Sequence, residues 1–260
     1  NKAWPSQILA VTFTNKAAKE MRHRIEELIG TQARGLQMGT FHSIFSRILR
    51  IEAEKIGFTS SFTIYDEEDA ISLIKHILKE KGLDDKKYKP RSVKSAISSA
   101  KNQAVSPVVY RNDFARDEYS EVVARVYSTY QVRLQQSNAM DLDDLLVYML
   151  VLFDKHLDVL HKYQHKFKYI MVDEYQDTNH AQYLICRKLA SEHRNICVVG
   201  DDAQSIYSFR GADIQNILTF QKDYPEAQLF KLEQNYRSTE VIVNVANDII
   251  RHNRNQIPKK

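Results

Sequence analysis

Two adjacent acids, Asp173 and Glu174, directly follow an apolar run, Tyr169–Val172. Such a run predicts a buried strand that delivers carboxylates to its C-terminal end, where ligands bind in open α/β sheets. Paired carboxylates there suit phosphoryl transfer, because one can hold Mg²⁺ through water and the next can accept a proton from the attacking water. The same letters also suit an acidic helix N-terminus, which the helix dipole favours. The motif alone leaves both interpretations open.

Strand-like and helix-like segments alternate at both ends of the chain, and this alternation predicts a parallel sheet. The stretch 58–139 has almost no strand signal, and its apolar residues recur at helical spacing. The predicted fold class is therefore α/β, with a parallel sheet in 1–57 and 140–260 that is interrupted by an all-helical insertion subdomain at 58–139. The predicted strands are 8–12, 37–40 (a short strand or a turn), 169–172, 196–199 and 229–232, and helices are predicted at 118–136 and 141–156.

The composition is that of a globular chain, with 260 residues, 43% of them apolar and 27% charged. The formal net charge is +4, and the stretch 75–101 carries a local excess of Lys and Arg. A basic excess suggests a polyanion such as nucleic acid, or simply a solvated helical face. No apolar run approaches the length of a membrane span. Cys186 and Cys197 match no metal-binding spacing, and we expect both to be buried thiols of a reducing compartment.

Five segments, in this order, resemble the motifs of the superfamily 1A DNA helicases of the UvrD/PcrA/Rep group, and a sixth at 141–146 is similar. The five read VTFTNKAAKEM (11–21), GTFHS (39–43), DEYQDTN (173–179), VGDDAQSIYSFRGAD (199–213) and LEQNYRST (232–239). Ordered motifs at family-like spacing along nearly the whole chain form a specific signal. The resemblance implies a RecA-like P-loop NTPase sheet, within the first motor domain of an ATP-dependent 3′-to-5′ DNA helicase.

For ATP and Mg²⁺, the resemblance implies roles for the acidic motif and for the loop after the next strand. Asp173 would help to hold the metal ion, and Glu174 would be the general base for attack of water on the γ-phosphate. Gln204 would sense that phosphate and relay its state to the DNA site. We expect Gln176 and Asp177 to position these groups rather than to catalyse.

The last motif adds two nucleotide contacts by the same resemblance. Tyr236 would stack on adenine, and Arg237 would reach the γ-phosphate with a charge-assisted fork. Arg237 could instead pair with a neighbouring acid such as Glu240.

For single-stranded DNA, the resemblance implies contacts from two helix N-terminal loops, whose exposed N–H groups favour phosphate, and from two aromatic rings that could stack on bases. Phe13 would act as a wedge between bases. Phe209 stands where the family usually has Trp, and Ser208 stands where it often has a basic residue. The implied contacts are Phe13, Thr14, Asn15, Thr40, Phe41, His42, Tyr207, Phe209 and Arg210.

None of the seven glycines is followed by Lys, so the sequence contains no G-x-x-x-x-G-K-[ST] phosphate loop. In the family, that loop and a second RecA-like domain lie outside the part that this chain resembles. We therefore expect a piece of a longer polypeptide that is inactive without its missing halves. The expected partners are single-stranded DNA, 3′-tailed duplex DNA and possible repair or replication proteins; the expected location is the bacterial cytosol, at the nucleoid.

Two alternatives remain beside the helicase motor. One is the motor of a helicase–nuclease of the RecB/AddA type. The other is a non-catalytic module that only binds single strands. The joint presence of Asp173, Glu174, Gln204 and Arg237 argues against a degenerate site. Composition alone does not separate DNA from RNA.

Overall fold

Four parallel strands form the main sheet of the computed structural model, which describes residues 3–208 and 211–252. The strand order is β2-β1-β5-β6, so that β1 and β5 lie at the centre. The strands of this sheet are β1 (Ile8–Thr12), β2 (Gln37–Thr40), β5 (Tyr169–Val172) and β6 (Ile196–Val198), and a separate pair is formed by β3 (Thr63–Tyr65) and β4 (Ala139–Asp141). The parallel α/β architecture predicted from the sequence is confirmed.

Twelve α-helices in the described part of the chain connect and flank these strands. They are α1 (Asn15–Ile29), α2 (Phe41–Ile51), α3 (Glu67–Glu80), α4 (Pro90–Asn102), α5 (Pro107–Val109), α6 (Glu118–Gln136), α7 (Asp144–Lys155), α8 (Leu157–Lys166), α9 (His180–Ala190), α10 (Gln215–Leu218), α11 (Phe220–Asp223) and α12 (Glu240–Ile250). None of the described helices combines the length and apolarity needed to cross a membrane.

Side-chain caps fix where several helices begin, because a side-chain oxygen satisfies one of the first free N–H groups of the helix. The Thr14 hydroxyl accepts from Ala17 N at the start of α1. Asp66 and Asn179 form capping boxes at α3 and α9. Helices α1 and α9 therefore begin immediately after a strand or its following loop, which places the N-termini of both helices at one edge of the sheet.

The apolar interior contains two large buried clusters, besides a small one of Ala10, Ala33, Leu36 and Met38 beside β1 and β2. One surrounds the sheet and includes Val11, Ile170 and Val172, together with residues of α2, α7 and α9. The other is formed mainly by α3, α4 and α6 and includes Ile74 and Val123. The stretch 58–139, expected to be all-helical, holds α3 to α6, but it also contains the short strand β3, which pairs in parallel with β4.

Three local expectations were wrong. Segment 229–232 forms no strand; Leu229, Phe230 and Leu232 are exposed, and no described strand pairs with them. Cys197 is exposed rather than buried, since its face of β6 is not covered by the described chain. The helix expected from 141 begins at Asp144, because 139–141 pairs with β3 instead.

Candidate functional site

Asp173 lies at the C-terminal end of β5, beside the end of β1. Its backbone N donates to Val11 O at 2.9 Å, and the Thr12 hydroxyl donates to Asp173 Oδ2 at 3.2 Å. Within the described residues, no group of three or more His, Cys, Asp or Glu could hold a metal ion. A single carboxylate nevertheless fits Mg²⁺, which is usually bound by one or two carboxylates together with water and substrate phosphates. Asp173 is the residue that would hold it.

Glu174 occupies a left-handed backbone conformation, with φ 52° and ψ 44°. A residue other than Gly in this region costs of order 1–3 kcal/mol, and such conformations cluster at functional sites. The carboxylate is exposed, but it accepts a hydrogen bond from Gln176 Nε2 at 2.7 Å. The general-base candidate is therefore accessible and held by a buried amide.

Gln176 connects the acidic motif to the loop after β6. Its Oε1 accepts from Asp201 N at 3.1 Å, while its Nε2 holds Glu174. Glycine at position 200 leaves room for this approach, because a Cβ on Gly200 would lie 2.4 Å from Gln176 Oε1. In the same loop, Gln204 Nε2 donates to Asp201 Oδ2 at 2.9 Å. The chain Glu174–Gln176–Asp201–Gln204 thus links the two strand ends that the sequence placed at one edge.

Asp177 is a buried carboxyl with no hydrogen-bond partner at Oδ1 among the described residues. Burial, with the nearby charge of Glu174, raises the pKa of Asp177 to about 6. Asp177 therefore titrates closer to neutrality than an ordinary carboxyl.

Phe13 and Tyr207 bring the aromatic part of the site together. Their rings stack with centroids 5.8 Å apart and an interplanar angle of 22°. Phe13 directly follows Thr12, the residue that contacts Asp173. Thr12, the last residue of β1, thus contacts the acidic motif, and the next residue, Phe13, contacts the aromatic loop. Sequence reasoning missed Thr12; its place at the end of the strand beside β5 was the available signal.

The loops that begin α1 and α2 differ in how much they expose. Thr14 and Asn15 are exposed at the start of α1. Thr40 is buried, and its hydroxyl accepts from Ser43 N at 3.3 Å. Polar side chains at the α1 end can meet a ligand directly, whereas Thr40 is used as a helix cap.

Phe41 is a correction to the expected DNA contacts. Its side chain is 2% exposed and packs edge-on against Phe45, with ring centroids 5.8 Å apart. A ring enclosed in the core has no free face on which a base could stack. Phe41 anchors α2 to the sheet.

His42 is half-buried beside Asp143. Burial lowers the pKa of His42, and the charge of Asp143 opposes this shift only partly. This lowered pKa favours the neutral imidazole, which can still offer a phosphate a hydrogen bond.

Tyr236 and Arg237 are not brought into this constellation. The Tyr236 ring is 92% exposed. Arg237 is exposed, and among the described residues its guanidinium forms no ion pair, with Glu240 or any other acid. Phe209 and Arg210 lie outside the described residues.

A parallel sheet with an acidic pair after one strand and a glutamine loop after its neighbour defines a RecA-like α/β domain. The chain belongs to the family described as the UvrD/REP helicase N-terminal domain, whose model matches residues 1–225. It is 52% identical over 255 residues to an ATP-dependent DNA helicase PcrA of Staphylococcus aureus, and 51% identical over 255 residues to the protein of that name in Staphylococcus epidermidis. Each alignment covers 98% of this chain and 35% of the relative. The chain thus spans about a third of the length of these relatives.

Proposed function

We propose that this chain forms most of the first motor domain of an ATP-dependent DNA helicase that moves 3′ to 5′ on single-stranded DNA and unwinds duplex ahead of it. The family membership and the names of the two relatives support ATP and DNA as the substrates. The direction of movement, the 3′-tailed duplex and work at the nucleoid of a bacterial cytosol belong to the same proposal. So does the division into 1–57, a helical insertion at 58–139, and 140–260.

The end of β1 is the observation that carries this proposal. Thr12 contacts the carboxylate of Asp173 at 3.2 Å, and the adjacent Phe13 stacks on Tyr207 at 5.8 Å. One residue step therefore separates the group that touches the candidate nucleotide site from the ring that can touch a base. A motor needs such a short path, because a change at the phosphates must alter the grip on DNA.

Hydrolysis follows from the residues of the β5 end. A water molecule held by Glu174 attacks the γ-phosphorus, and its proton passes to the carboxylate of Glu174. The bond between the γ-phosphorus and the bridging oxygen breaks, and ADP leaves with the electron pair. Asp173 would hold Mg²⁺, which supplies charge neutralisation at the phosphates. Gln176 keeps the base in place through its hydrogen bond to Glu174, and Gln204 would sense the presence of a γ-phosphate.

Single-stranded DNA is proposed to meet the rings at the other side of the same edge. Base stacking on an aromatic ring contributes ~1–3 kcal/mol per base and does not depend on sequence. A base that enters between Phe13 and Tyr207 must separate the two rings, and this movement would be felt at Thr12. Thr14 and Asn15 would contact the backbone beside it.

Tyr236 and Arg237 are proposed to complete the nucleotide site from outside the sheet edge. Their exposure leaves both side chains available for adenine and for a phosphate. An Arg fork that binds a phosphate forms two charge-assisted hydrogen bonds. These contacts would form only when nucleotide is bound.

Steady-state ATP hydrolysis with saturating single-stranded DNA tests this function. The longer protein that contains the chain is compared with its Glu174→Gln variant, and Glu54→Gln, an exposed acid away from the site, serves as the matched control. Loss of a positioned base lowers turnover by about 10²–10⁴-fold. Unchanged turnover of Glu174→Gln would remove the proposed chemistry. A folded protein that binds DNA without hydrolysing ATP would instead be a single-strand-binding module.

A further inference from the structure

Asn102, the last residue of α4, forms a direct contact between the helical insertion and the acidic motif. Its Oδ1 accepts from Asn179 Nδ2 at 2.6 Å. Asn179 ends the DEYQDTN segment and caps α9, where its Oδ1 accepts from Gln182 N at 2.8 Å. The two asparagines are separated by 77 positions in the sequence.

Lys101 fixes this end of α4 to the sheet-bearing part of the chain. Its side chain is fully buried, and Nζ lies 2.9 Å from Asp141 Oδ2 and 2.8 Å from Asp144 Oδ1. Tyr130 OH also donates to Asp141 Oδ2 at 2.9 Å. A buried ammonium with this many partners is costly to displace, because breaking such a pair leaves an uncompensated charge in the interior. The last turn of α4 is therefore a rigid point of attachment.

The loop that follows the aromatic motif packs on the same asparagine. A Cβ placed on Gly211 would lie 3.2 Å from the Cβ of Asn102. Two residues further along, Asp213 N donates to Thr178 O at 2.9 Å. The end of the acidic motif, the loop that follows the aromatic motif, and the insertion thus meet at Asn102.

We propose that Asn102 is a positioning residue that couples the helical insertion to ATP hydrolysis. When nucleic acid shifts the insertion, the rigid end of α4 carries Asn102 with it, and the hydrogen bond to Asn179 transmits the shift to the acidic motif. The packing against Gly211 transmits the same shift to the DNA-contacting loop. This inference rests on the proposed function, and it adds a path that does not run through the end of β1.

A pair of isosteric substitutions isolates this contact. In Asn102→Asp the new carboxylate still accepts from Asn179 Nδ2, and in Asn179→Asp rotation of the Asn102 amide lets its Nδ2 donate to the new carboxylate. Asn179→Asp also keeps an acceptor for the cap of α9. The double variant places two carboxylates at the 2.6 Å contact, where like charges repel. Shape and volume change little in all three variants.

The measured quantity is the ratio of ATP turnover with single-stranded DNA to turnover without it, in the longer protein. We expect each single variant to retain most of the stimulation. The double variant should lose it beyond the product of the single effects by about fivefold or more, as contacting residues do. A merely structural fault would lower both turnovers together and leave the ratio unchanged. Asn112→Asp, an exposed asparagine of the same insertion, combined with Asn179→Asp is the control and should behave additively.

Three further results decide between the possible outcomes. If the double variant does not fold, Asn102→Ala removes the bond without adding charge, and Asn102→Asp should restore the stimulation that Asn102→Ala loses. Additive effects in a wild type that DNA stimulates would overturn the role of Asn102 alone. A folded wild type that hydrolyses no ATP would overturn both this inference and the proposed function.

Discussion

Two regions of the molecule invert the usual placement of side chains. One is the junction at the end of α4, where Lys101 contacts Asp141 and Asp144, and the other is the segment 229–239 before α12. In the junction, the ammonium of Lys101 is fully buried. In the segment 229–239, Leu232 is 90% exposed and Phe230 is 78% exposed. A charge lies inside, and large apolar groups lie outside.

In these two regions, the groups available to contact a side chain, rather than its residue type, decide whether it is buried. Lys101 has two carboxylates within 2.9 Å, and they offset the loss of water. Leu232 has no apolar surface to cover it within the described chain, and exposed apolar groups of this kind mark interaction surfaces. The buried charge of the junction is therefore neutralised within this chain, whereas the apolar side chains of the segment have no packing partner among the described residues.

Removing the buried cation of the junction should lower the stability of the chain more than any other change proposed here. In Lys101→Met, Asp144 remains buried without a counter-charge and Asp141 keeps only Lys94, at 4.0 Å; loss of one partner of a buried pair costs about 3–5 kcal/mol. Urea unfolding of the chain measures the loss as a lower midpoint. Lys81→Met, an exposed lysine of the same insertion, should stay within about ±0.5 kcal/mol. Equal midpoints for the two variants would show that the buried network does not hold the junction.

Overpacking Gly200 tests whether the β5–β6 edge is as tightly built as the junction. The new methyl group of Gly200→Ala would meet Gln176 Oε1 at 2.4 Å and Ile217 Cδ1 at 2.9 Å. Such overpacking typically costs about 1–3 kcal/mol, which thermal unfolding detects. Adding Gln176→Ala makes room, so the combined loss should be smaller than the sum of the two. Strict additivity would contradict the contact.

Two buried carboxyls, Asp141 in the junction and Asp177 at the sheet edge, have opposite surroundings, so their pKa values shift in opposite directions. Burial alone would raise the pKa of Asp141, but Lys101 and Lys94 outweigh it and hold that pKa below its ordinary value. Asp177 has no such cation, and its pKa rises to about 6. Because the folded state binds this proton more tightly than the unfolded chain, stability is lost as pH rises through about 4–6.

The Asp177 contribution is measured against Asp177→Asn at pH 5 and pH 7.5. We expect the unfolding free energy of the wild type, relative to the variant, to be higher at pH 5 by about 1 kcal/mol. That difference shifts the melting temperature by roughly 2–4 °C. If the unfolding free energy of the wild type, relative to the variant, were instead higher at pH 7.5, the pKa of Asp177 would not be raised in the folded protein.

Truncating the exposed segment should have the smallest effect. Leu232→Ser removes a side chain that covers nothing, so the stability of the chain should change by no more than a surface substitution does, about ±0.5 kcal/mol in thermal unfolding. Leu78→Ala, within the insertion core, should cost about 2–5 kcal/mol. A comparable loss for Leu232→Ser would show that the segment is packed.

Local signals predicted the elements well where the structure supplied the partners they require. Helix α6 occupies the predicted span, Glu118–Gln136, because its cap and apolar period agree. Segment 229–232 has strand-like residues, but a strand also needs a neighbour with which to exchange hydrogen bonds, and no local pattern reveals that neighbour.

The site was predictable only in part, for the same reason. The motifs pointed to Asp173, Glu174 and Gln204 at one edge of the sheet, and their backbone placement agrees. Burial of Phe41 was readable from its helical spacing with Ile44 and Phe45, a stripe typical of a core-facing helix. The bond between the two asparagines joins distant positions, and its partners follow from tertiary packing alone.

The proposal that the end of β1 joins the nucleotide site to the DNA site is tested by ATP hydrolysis of the longer protein. Wild type and Phe13→Ala are compared across a concentration series of single-stranded DNA. We expect DNA to stimulate hydrolysis, and Phe13→Ala to raise the DNA concentration for half-maximal stimulation by roughly 5- to 150-fold, the equivalent of ~1–3 kcal/mol of stacking. Hydrolysis that ignores DNA, or a response that Phe13→Ala leaves unchanged, would contradict the proposal.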